Sequence, residues 1–166
     1  MKIVVTGSLG HISKPLTEKL VQKGHTVTVI SSQPERQSAI ETLGATAAIG
    51  SIEDVDFLTA TFTGADAVYC MVPPGNPFDH SHDVIASVGR LATNYVQAIL
   101  QSGVKHVVYL SSIGAHTDKG NGILLFHYNA EHILQTLPSD VAIAFMRPVG
   151  FYYNLLSFVH TIKTQG

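Results

Sequence analysis

Short apolar, often β-branched runs recur along the chain, each followed by a segment of helical character. The runs cover residues 3–5, 27–30, 45–49, 67–72, 106–110 and 142–146. We predict helices over 11–23, 35–43, 84–100, 124–136 and 153–165, and a short one between Asp54 and Gly64. Strands spaced by roughly 20 to 30 residues with helices between them are typical of βαβ units. Such units build a parallel sheet covered on both faces, so we expect a doubly wound α/β domain.

The composition fits one folded domain and excludes other classes of protein. Of 166 residues, 45% are hydrophobic and 13% charged, which excludes a disordered or highly charged tail. The net charge of -2 indicates no nucleic-acid partner, and no apolar run has membrane-spanning length. The single cysteine, Cys70, excludes an intrachain disulfide framework and fits a reducing compartment. We therefore expect a cytoplasmic protein that acts on a small molecule, with a homodimer left open.

A glycine-bearing stretch, Thr-Gly-Ser-Leu-Gly-His-Ile-Ser at residues 6–13, follows the first predicted strand. We call it the glycine turn. Gly7 can adopt the backbone angles of a tight turn, and Gly10 leaves room for a pyrophosphate to approach the main chain. The free N–H groups of the next helix and its dipole favour an anion there. In this context the turn predicts a Rossmann-type dinucleotide site, whereas the alternative is an ordinary βα turn. The residues expected to line the diphosphate are Gly7, Ser8, Gly10, His11 and Ile12.

The end of the second strand bears on the choice of cofactor. An acidic residue there would bind a ribose 2′-hydroxyl and repel a 2′-phosphate. This chain instead has Ser31 and Ser32, and Arg36 follows closely. Ser32 and Arg36 can hold a phosphate, although Glu35 opposes this and Arg36 as a solvated helix residue is the alternative. We expect NADP(H) in preference to NAD(H).

Four motifs together resemble one family. They are the Gly7-x-x-Gly10-x-x-Ser13 turn, Leu110-Ser111-Ser112, His127-x-x-x-Glu131-x-x-Leu134, and Arg147-Pro148-x-Gly150-Phe151-x-x-Asn154. The chain resembles the NmrA-like atypical short-chain dehydrogenase/reductases, in particular their NAD(P)H:quinone oxidoreductase branch. The resemblance implies an NAD(P)H-binding oxidoreductase that passes a hydride to a small electrophile such as a quinone. Under this hypothesis Met71, Val72 and Pro73 flank the cofactor, and Ser111 and Ser112 lie near the nicotinamide.

The chain departs from this family in a few residues and in length. Ser13 replaces the usual third glycine, Ser32 a frequent basic residue, and Ser51 an Asp that borders the adenine. Family members usually continue into a small, mostly helical C-terminal part that completes the substrate cleft, and this part is largely absent here. We expect residues 1–150 to form the NAD(P)-binding domain and 151–166 to form a C-terminal helix, the start of a truncated substrate-binding part.

The resemblance also suggests catalytic residues. Short-chain dehydrogenases generally use a Ser, a Tyr and a Lys four residues after the Tyr. Here the matching residues are Ser112, Tyr128 and His132, and the spacing of four places Tyr128 and His132 on one helix face. Tyr128 would transfer a proton with help from His132, or it is simply a half-buried helix residue. His127 and Glu131 form a second such pair, which either hydrogen-bonds internally or ties the helix to the sheet.

Other features leave alternatives open. Phe78, in the proline-rich stretch 73–78, could stack on a flat substrate or belong to a plain surface loop. The cluster of His80, His82 and Asp83 lacks enough ligands for zinc, so we expect no metal. Arg147 should have a structural partner. A non-catalytic NADP(H)-binding redox sensor remains an alternative function, favoured by His132 in place of Lys. An extended-type sugar-nucleotide epimerase is a third, opposed by the missing Tyr-x-x-x-Lys.

Overall fold

A single parallel sheet organises the molecule. The computed structural model describes residues 1–73 and 83–165, and six strands within them pair in the order β3-β2-β1-β4-β5-β6. The strands are β1 (Lys2–Val5), β2 (Thr26–Ser31), β3 (Thr46–Ile49), β4 (Ala67–Cys70), β5 (His106–Leu110) and β6 (Ala142–Met146). All five pairings are parallel, and Val5 lies opposite both Val29 and Tyr69. The predicted doubly wound, Rossmann-type sheet is confirmed, and its strand order reverses at β1.

Helices alternate with the strands along the chain, as predicted. They are α1 (Ser13–Gln22), α2 (Gln37–Thr42), α3 (Val55–Phe62), α4 (Val84–Ser102), α5 (Leu125–Leu134) and α6 (Val159–Gln165). Short 3₁₀ segments at Pro34–Arg36, Gly122–Leu124 and Tyr152–Phe158 precede α2, α5 and α6. The prediction of one helix over 153–165 was therefore wrong for its first half. The predicted fourth strand was also too long, because the N–H of Met71 bonds to the Thr6 hydroxyl instead of extending the ladder.

Each face of the sheet has its own apolar core. One core joins the sheet to α3, α4 and α5, and includes Leu58, Tyr95 and Leu134. The other joins it to α1 and α2, and includes Val29 and Ile40. Burial on both faces explains why the strands are continuously apolar rather than alternating.

A side-chain cap and a glycine define two of the helix ends. Asp54 caps α3 by accepting a hydrogen bond from the Phe57 N–H at 3.0 Å, and the helix lies within the predicted range. Gly103 ends α4 with a left-handed φ of 76°.

Every residue from 152 to 165, which we call the C-terminal segment, is exposed. No helix in the described part of the chain is both long enough and apolar enough to cross a membrane.

Candidate functional site

The glycine turn lies at the carboxyl end of β1, where the strand order reverses. Gly7 has a φ of 92° and Ser8 a φ of 52°, both in the left-handed region. A Cβ atom at Gly7 would lie 2.5 Å from Ser13 Oγ and 2.9 Å from Met71 Sδ, so only glycine fits. The Ser8 N–H donates to the Ile30 carbonyl at 3.1 Å and ties the turn to β2. The turn is thus fixed between the first strand and its neighbours.

The second glycine has open space beside it, and the two residues after it carry free N–H groups. The Gly10 N–H donates to the Gly7 carbonyl at 3.1 Å, and a Cβ at Gly10 would meet nothing else within 4 Å. Helix α1 begins at Ser13, two residues later than predicted, so His11 and Ile12 precede it. No hydrogen bond among the described residues uses the N–H group of His11 or Ile12. Free N–H groups at the positive end of a helix dipole, with room before them, fit the diphosphate of a dinucleotide.

Ser13 occupies the position of the usual third glycine. Its side chain is 2% exposed, and its hydroxyl donates to the Thr6 carbonyl at 2.8 Å. Helix and strand therefore still pack closely, and the buried hydroxyl keeps a partner. The departure from the family pattern at Ser13 leaves the turn intact.

The side chains after β2 form a polar network over the turn. The Ser8 hydroxyl donates to Ser31 Oγ at 2.9 Å, and Arg36 Nη1 donates to Ser8 Oγ at 3.3 Å. Arg36 is thus directed to the turn rather than to solvent alone. Ser32 and Glu35 are exposed, and the side chain in contact with the turn is Ser31. The end of β2 therefore brings a cation and two hydroxyls together.

The residues after β4 border the same turn. The Met71 carbonyl accepts a hydrogen bond from the Tyr95 hydroxyl at 2.7 Å, which fixes the end of the strand to α4. Val72 is 7% exposed and belongs to the core, whereas Pro73 is exposed. Of the predicted flanking residues, Met71 thus has its side chain beside the turn. Phe78, His80 and His82 lie outside the described residues.

Ser111, Glu131 and Arg147 form a group at the ends of β5 and β6, which we call the Glu131 cluster; Ser111 and Glu131 are buried, and the Arg147 side chain is 39% exposed. The Ser111 hydroxyl donates to Glu131 Oε1 at 2.5 Å, and Arg147 Nε donates to the same oxygen at 2.9 Å. Arg147 also donates to Glu131 Oε2, which completes a two-point ion pair. The predicted partner of Arg147 is confirmed. The Ser111 hydroxyl, expected near the nicotinamide, is committed to this ion pair.

Of the two alternatives for His127 and Glu131, the internal hydrogen bond does not form, and Glu131 ties α5 to the sheet without His127. Burial would by itself raise the pKa of Glu131, but hydrogen bonds from Arg147 and Ser111 outweigh it and lower the pKa. Buried His127 Nδ1 has no partner among the described residues. Burial lowers the pKa of His127 to about 4, and the Glu131 carboxylate only partly opposes this. His127 is therefore held neutral.

The predicted catalytic pair shares one face of α5. The rings of Tyr128 and His132 lie 4.0 Å apart between centroids. His132 Nδ1 is 2.9 Å from the Tyr128 carbonyl oxygen, so the imidazole is held against its own helix. Ser112 is half-buried, and its hydroxyl has no hydrogen bond to another described residue. The spacing argument is confirmed, and the catalytic roles of Ser112, Tyr128 and His132 stay predictions.

Comparison with known proteins identifies the binding family. The profile of the NAD(P)H-binding family matches residues 7–154, from the first glycine of the turn to Asn154. The chain belongs to the NAD(P)H-binding family. This agrees with the resemblance found in the four sequence motifs.

Several proteins similar to this chain are reductases. An NAD(P)H azoreductase from Xenophilus azovorans is 23% identical over 99% of this chain and 53% of its own length. The structure of Citrobacter sp. triphenylmethane reductase complexed with NADP(H) matches with a TM-score of 0.80 at 18% identity, over 100% of this chain and 56% of that chain. The structure of an NADPH-dependent quinone oxidoreductase from Escherichia coli, complexed with NADPH, matches with a TM-score of 0.78 at 20% identity. The match covers 96% of this chain and 53% of that chain. The chain spans about half the length of these proteins.

One contact of this NAD(P)H-binding chain was not predicted. The His11 ring, in the glycine turn, stacks on Tyr153 with centroids 4.4 Å apart, and Tyr153 stacks on Phe151 at 5.6 Å. Phe151 belongs to a motif noted in the sequence, but nothing local shows that this motif returns to the turn.

The described residues contain no group of three or more His, Cys, Asp or Glu side chains placed to hold a metal ion.

Proposed function

We propose that this protein is an NADP(H)-dependent reductase that passes a hydride to a small electrophile such as a quinone. One observation carries the proposal: the N–H groups of His11 and Ile12, just before α1, make no hydrogen bond among the described residues, and the space beside Gly10 is open apart from the Gly7 carbonyl oxygen. When bound, the reduced nicotinamide supplies a hydride, which with one proton converts a quinone to its hydroquinone. The reductases among the similar proteins support the same chemistry. The NmrA-like quinone oxidoreductase branch is the subfamily we propose.

The preference for NADP(H) rests on the network after β2. Arg36 donates to Ser8 Oγ and brings its guanidinium over the turn, where a ribose 2′-phosphate would be neutralised. Ser32 offers a further exposed hydroxyl beside it. No carboxylate takes part in the hydrogen-bond network that links Ser8, Ser31 and Arg36. The repulsion that an acidic strand tip would impose on a 2′-phosphate is thus missing from this network.

The chain's own residues have distinct proposed tasks. The glycine turn binds the diphosphate, while Met71, Val72 and Pro73 border the cofactor just after β4. Ser111 stabilises the end of β5 through its hydrogen bond to Glu131. Ser112, the next residue, supplies the free hydroxyl. Tyr128, assisted by His132, delivers the proton. We propose residues 1–150 as the nucleotide-binding domain and 151–166 as the beginning of a substrate-binding part.

Side-by-side fluorescence titrations with NADPH and NADH test the cofactor assignment. We expect tighter binding of NADPH, because only NADPH carries the phosphate that Arg36 can neutralise. Tighter binding of NADH would overturn this preference. Steady-state NADPH oxidation with a panel of quinones then tests the reductase activity.

A redox sensor is the second candidate function. Its support is His132, which stands where a short-chain dehydrogenase has a lysine and is held against the Tyr128 carbonyl. An imidazole in this position supplies no permanent positive charge. NADPH binding without turnover of any acceptor by the complete polypeptide would favour the sensor over the reductase.

A further inference from the structure

The stacked rings of His11, Tyr153 and Phe151 form an exposed aromatic surface at the candidate site, which we call the aromatic wall. The His11–Tyr153 planes are inclined by 30° and the Tyr153–Phe151 planes by 8°. Tyr153 keeps 39% of its surface exposed, and His11 is exposed as well. The wall therefore offers ring surface that the protein itself does not cover.

The segment that carries Tyr153 must pass the ends of β5 and β4 to reach His11 after β1. Strands β4 and β5 lie between β1, which carries His11, and β6, which leads to Tyr153. Three strand spacings make about 14 Å, and the residues from 147 to 153 reach about 20 Å when extended. The N–H of Ile113 donates to the Pro148 carbonyl at 2.9 Å, so the chain passes beside the end of β5 on its way.

The location determines which end of the dinucleotide the wall meets. In this fold the ribose 2′ position lies at the end of β2 and the diphosphate at the glycine turn. The other end of the dinucleotide, where the hydride leaves, therefore extends toward β4 and β5. An acceptor must lie flat against that end to react. A wall of parallel rings beside it favours acceptors that are planar and aromatic, because rings attract one another in offset stacks.

We propose that Tyr153, which stacks on His11 and on Phe151 and stays 39% exposed, is a specificity-determining residue that selects planar aromatic electron acceptors of the quinone class. This proposal rests on the proposed reductase function and names the residue that chooses its substrate. Tyr153 supplies ring surface, and His11 and Phe151 set its orientation. The phenol hydroxyl has no part in the selection.

Binding of 2-methyl-1,4-naphthoquinone, measured by calorimetry on the protein with and without NADP⁺, tests the proposal. Tyr153→Leu should raise the Kd of the quinone about tenfold, the loss of roughly one aromatic pair. Tyr153→Phe keeps the ring and should stay within about twofold of wild type. Tyr152→Leu is the matched control, because Tyr152 is 86% exposed on the same segment and takes no part in the wall. In turnover, Tyr153→Leu should raise KM and leave kcat and the Kd of NADPH nearly unchanged.

The outcomes separate this proposal from the reductase assignment. Quinone binding that is unaffected by Tyr153→Leu, or absent in wild type, overturns the role of Tyr153. A loss of NADPH affinity equal to the loss of quinone affinity also overturns it, because the wall would then serve the cofactor. Quinone binding that depends on Tyr153 without any NADPH oxidation would support the wall and refute the reductase.

Discussion

The glycine turn and the Glu131 cluster lie on the same edge of the sheet but are built in different ways. The turn uses the backbone: left-handed angles at Gly7 and Ser8, and free N–H groups before α1. The cluster uses side chains: buried Glu131 of α5 is joined by hydrogen bonds and charge to Ser111, just after β5, and to Arg147, just after β6. One therefore presents unsatisfied donors to a ligand, whereas the other satisfies its own groups internally. We infer that the turn serves binding and that the cluster serves stability.

Substitution at the turn should give the largest effect, and it should fall on binding. Gly10→Val fills the space before the free N–H groups, so NADPH affinity should drop at least about 100-fold, or about 2.7 kcal/mol. The melting temperature should fall less than the affinity does, because among the described residues a Cβ there meets one atom, the Gly7 carbonyl oxygen at 3.1 Å, which must shift by a few tenths of an ångström. Fluorescence titration and thermal unfolding measure the two quantities. Normal NADPH binding by Gly10→Val would show that the diphosphate lies elsewhere.

Substitution in the cluster should affect stability instead. Glu131→Gln removes the charge that holds Arg147 and Ser111, and should lower the free energy of unfolding by about 2 kcal/mol. Urea unfolding at pH 7 measures this. Asp140→Asn is the control: it removes an ion pair with Lys105 that is exposed on both sides, and should matter far less. If Glu131→Gln and Asp140→Asn lower the free energy of unfolding equally, the burial of Glu131 does not strengthen its ion pair with Arg147.

The same contrast explains how much could be predicted from sequence. The turn is encoded by consecutive residues, so its glycines and the helix after it could be recognised locally. The Asp54 cap is local too. Glu131 bonds to residues 20 and 16 positions away, and sequence spacing suggested His127 instead. His11 meets Tyr153 only after the whole sheet has formed. Long-range side-chain pairing depends on the sheet order, which spacing along the chain does not specify.

Acid should destabilise the protein through His127, beside the cluster. Burial lowers the pKa of folded His127 to about 4, below the value near 6.5 of an unfolded chain. Between these values the unfolded chain binds the proton and the folded chain does not, so stability falls as pH falls. The loss from pH 7 to pH 5 should be about 1–2 kcal/mol. His127→Phe cannot titrate at this position, so its free energy of unfolding should lack this loss between pH 7 and pH 5. If the variant and the wild type lose the same stability over this range, His127 is not the cause.

The network beside the turn should discriminate between cofactors. Arg36→Gln removes the guanidinium near Ser8, so the Kd of NADPH should rise about tenfold, or about 1.4 kcal/mol. The Kd of NADH should change little, because NADH has no 2′-phosphate. Parallel titrations of both nucleotides measure the difference. An equal loss for NADPH and NADH would assign Arg36 to the turn's structure rather than to the phosphate.

The C-terminal segment should be the most tolerant region, and it sharpens the contrast with the cluster. Leu155 and Leu156 are 61% and 71% exposed, so Leu155→Ser with Leu156→Ser should change the free energy of unfolding by less than about 0.5 kcal/mol. Leu134→Ala, at a fully buried leucine on α5, should cost about 2–5 kcal/mol and serves as the control. Urea unfolding compares them. A loss above about 1 kcal/mol in the double variant would mean that these leucines pack against another surface in solution.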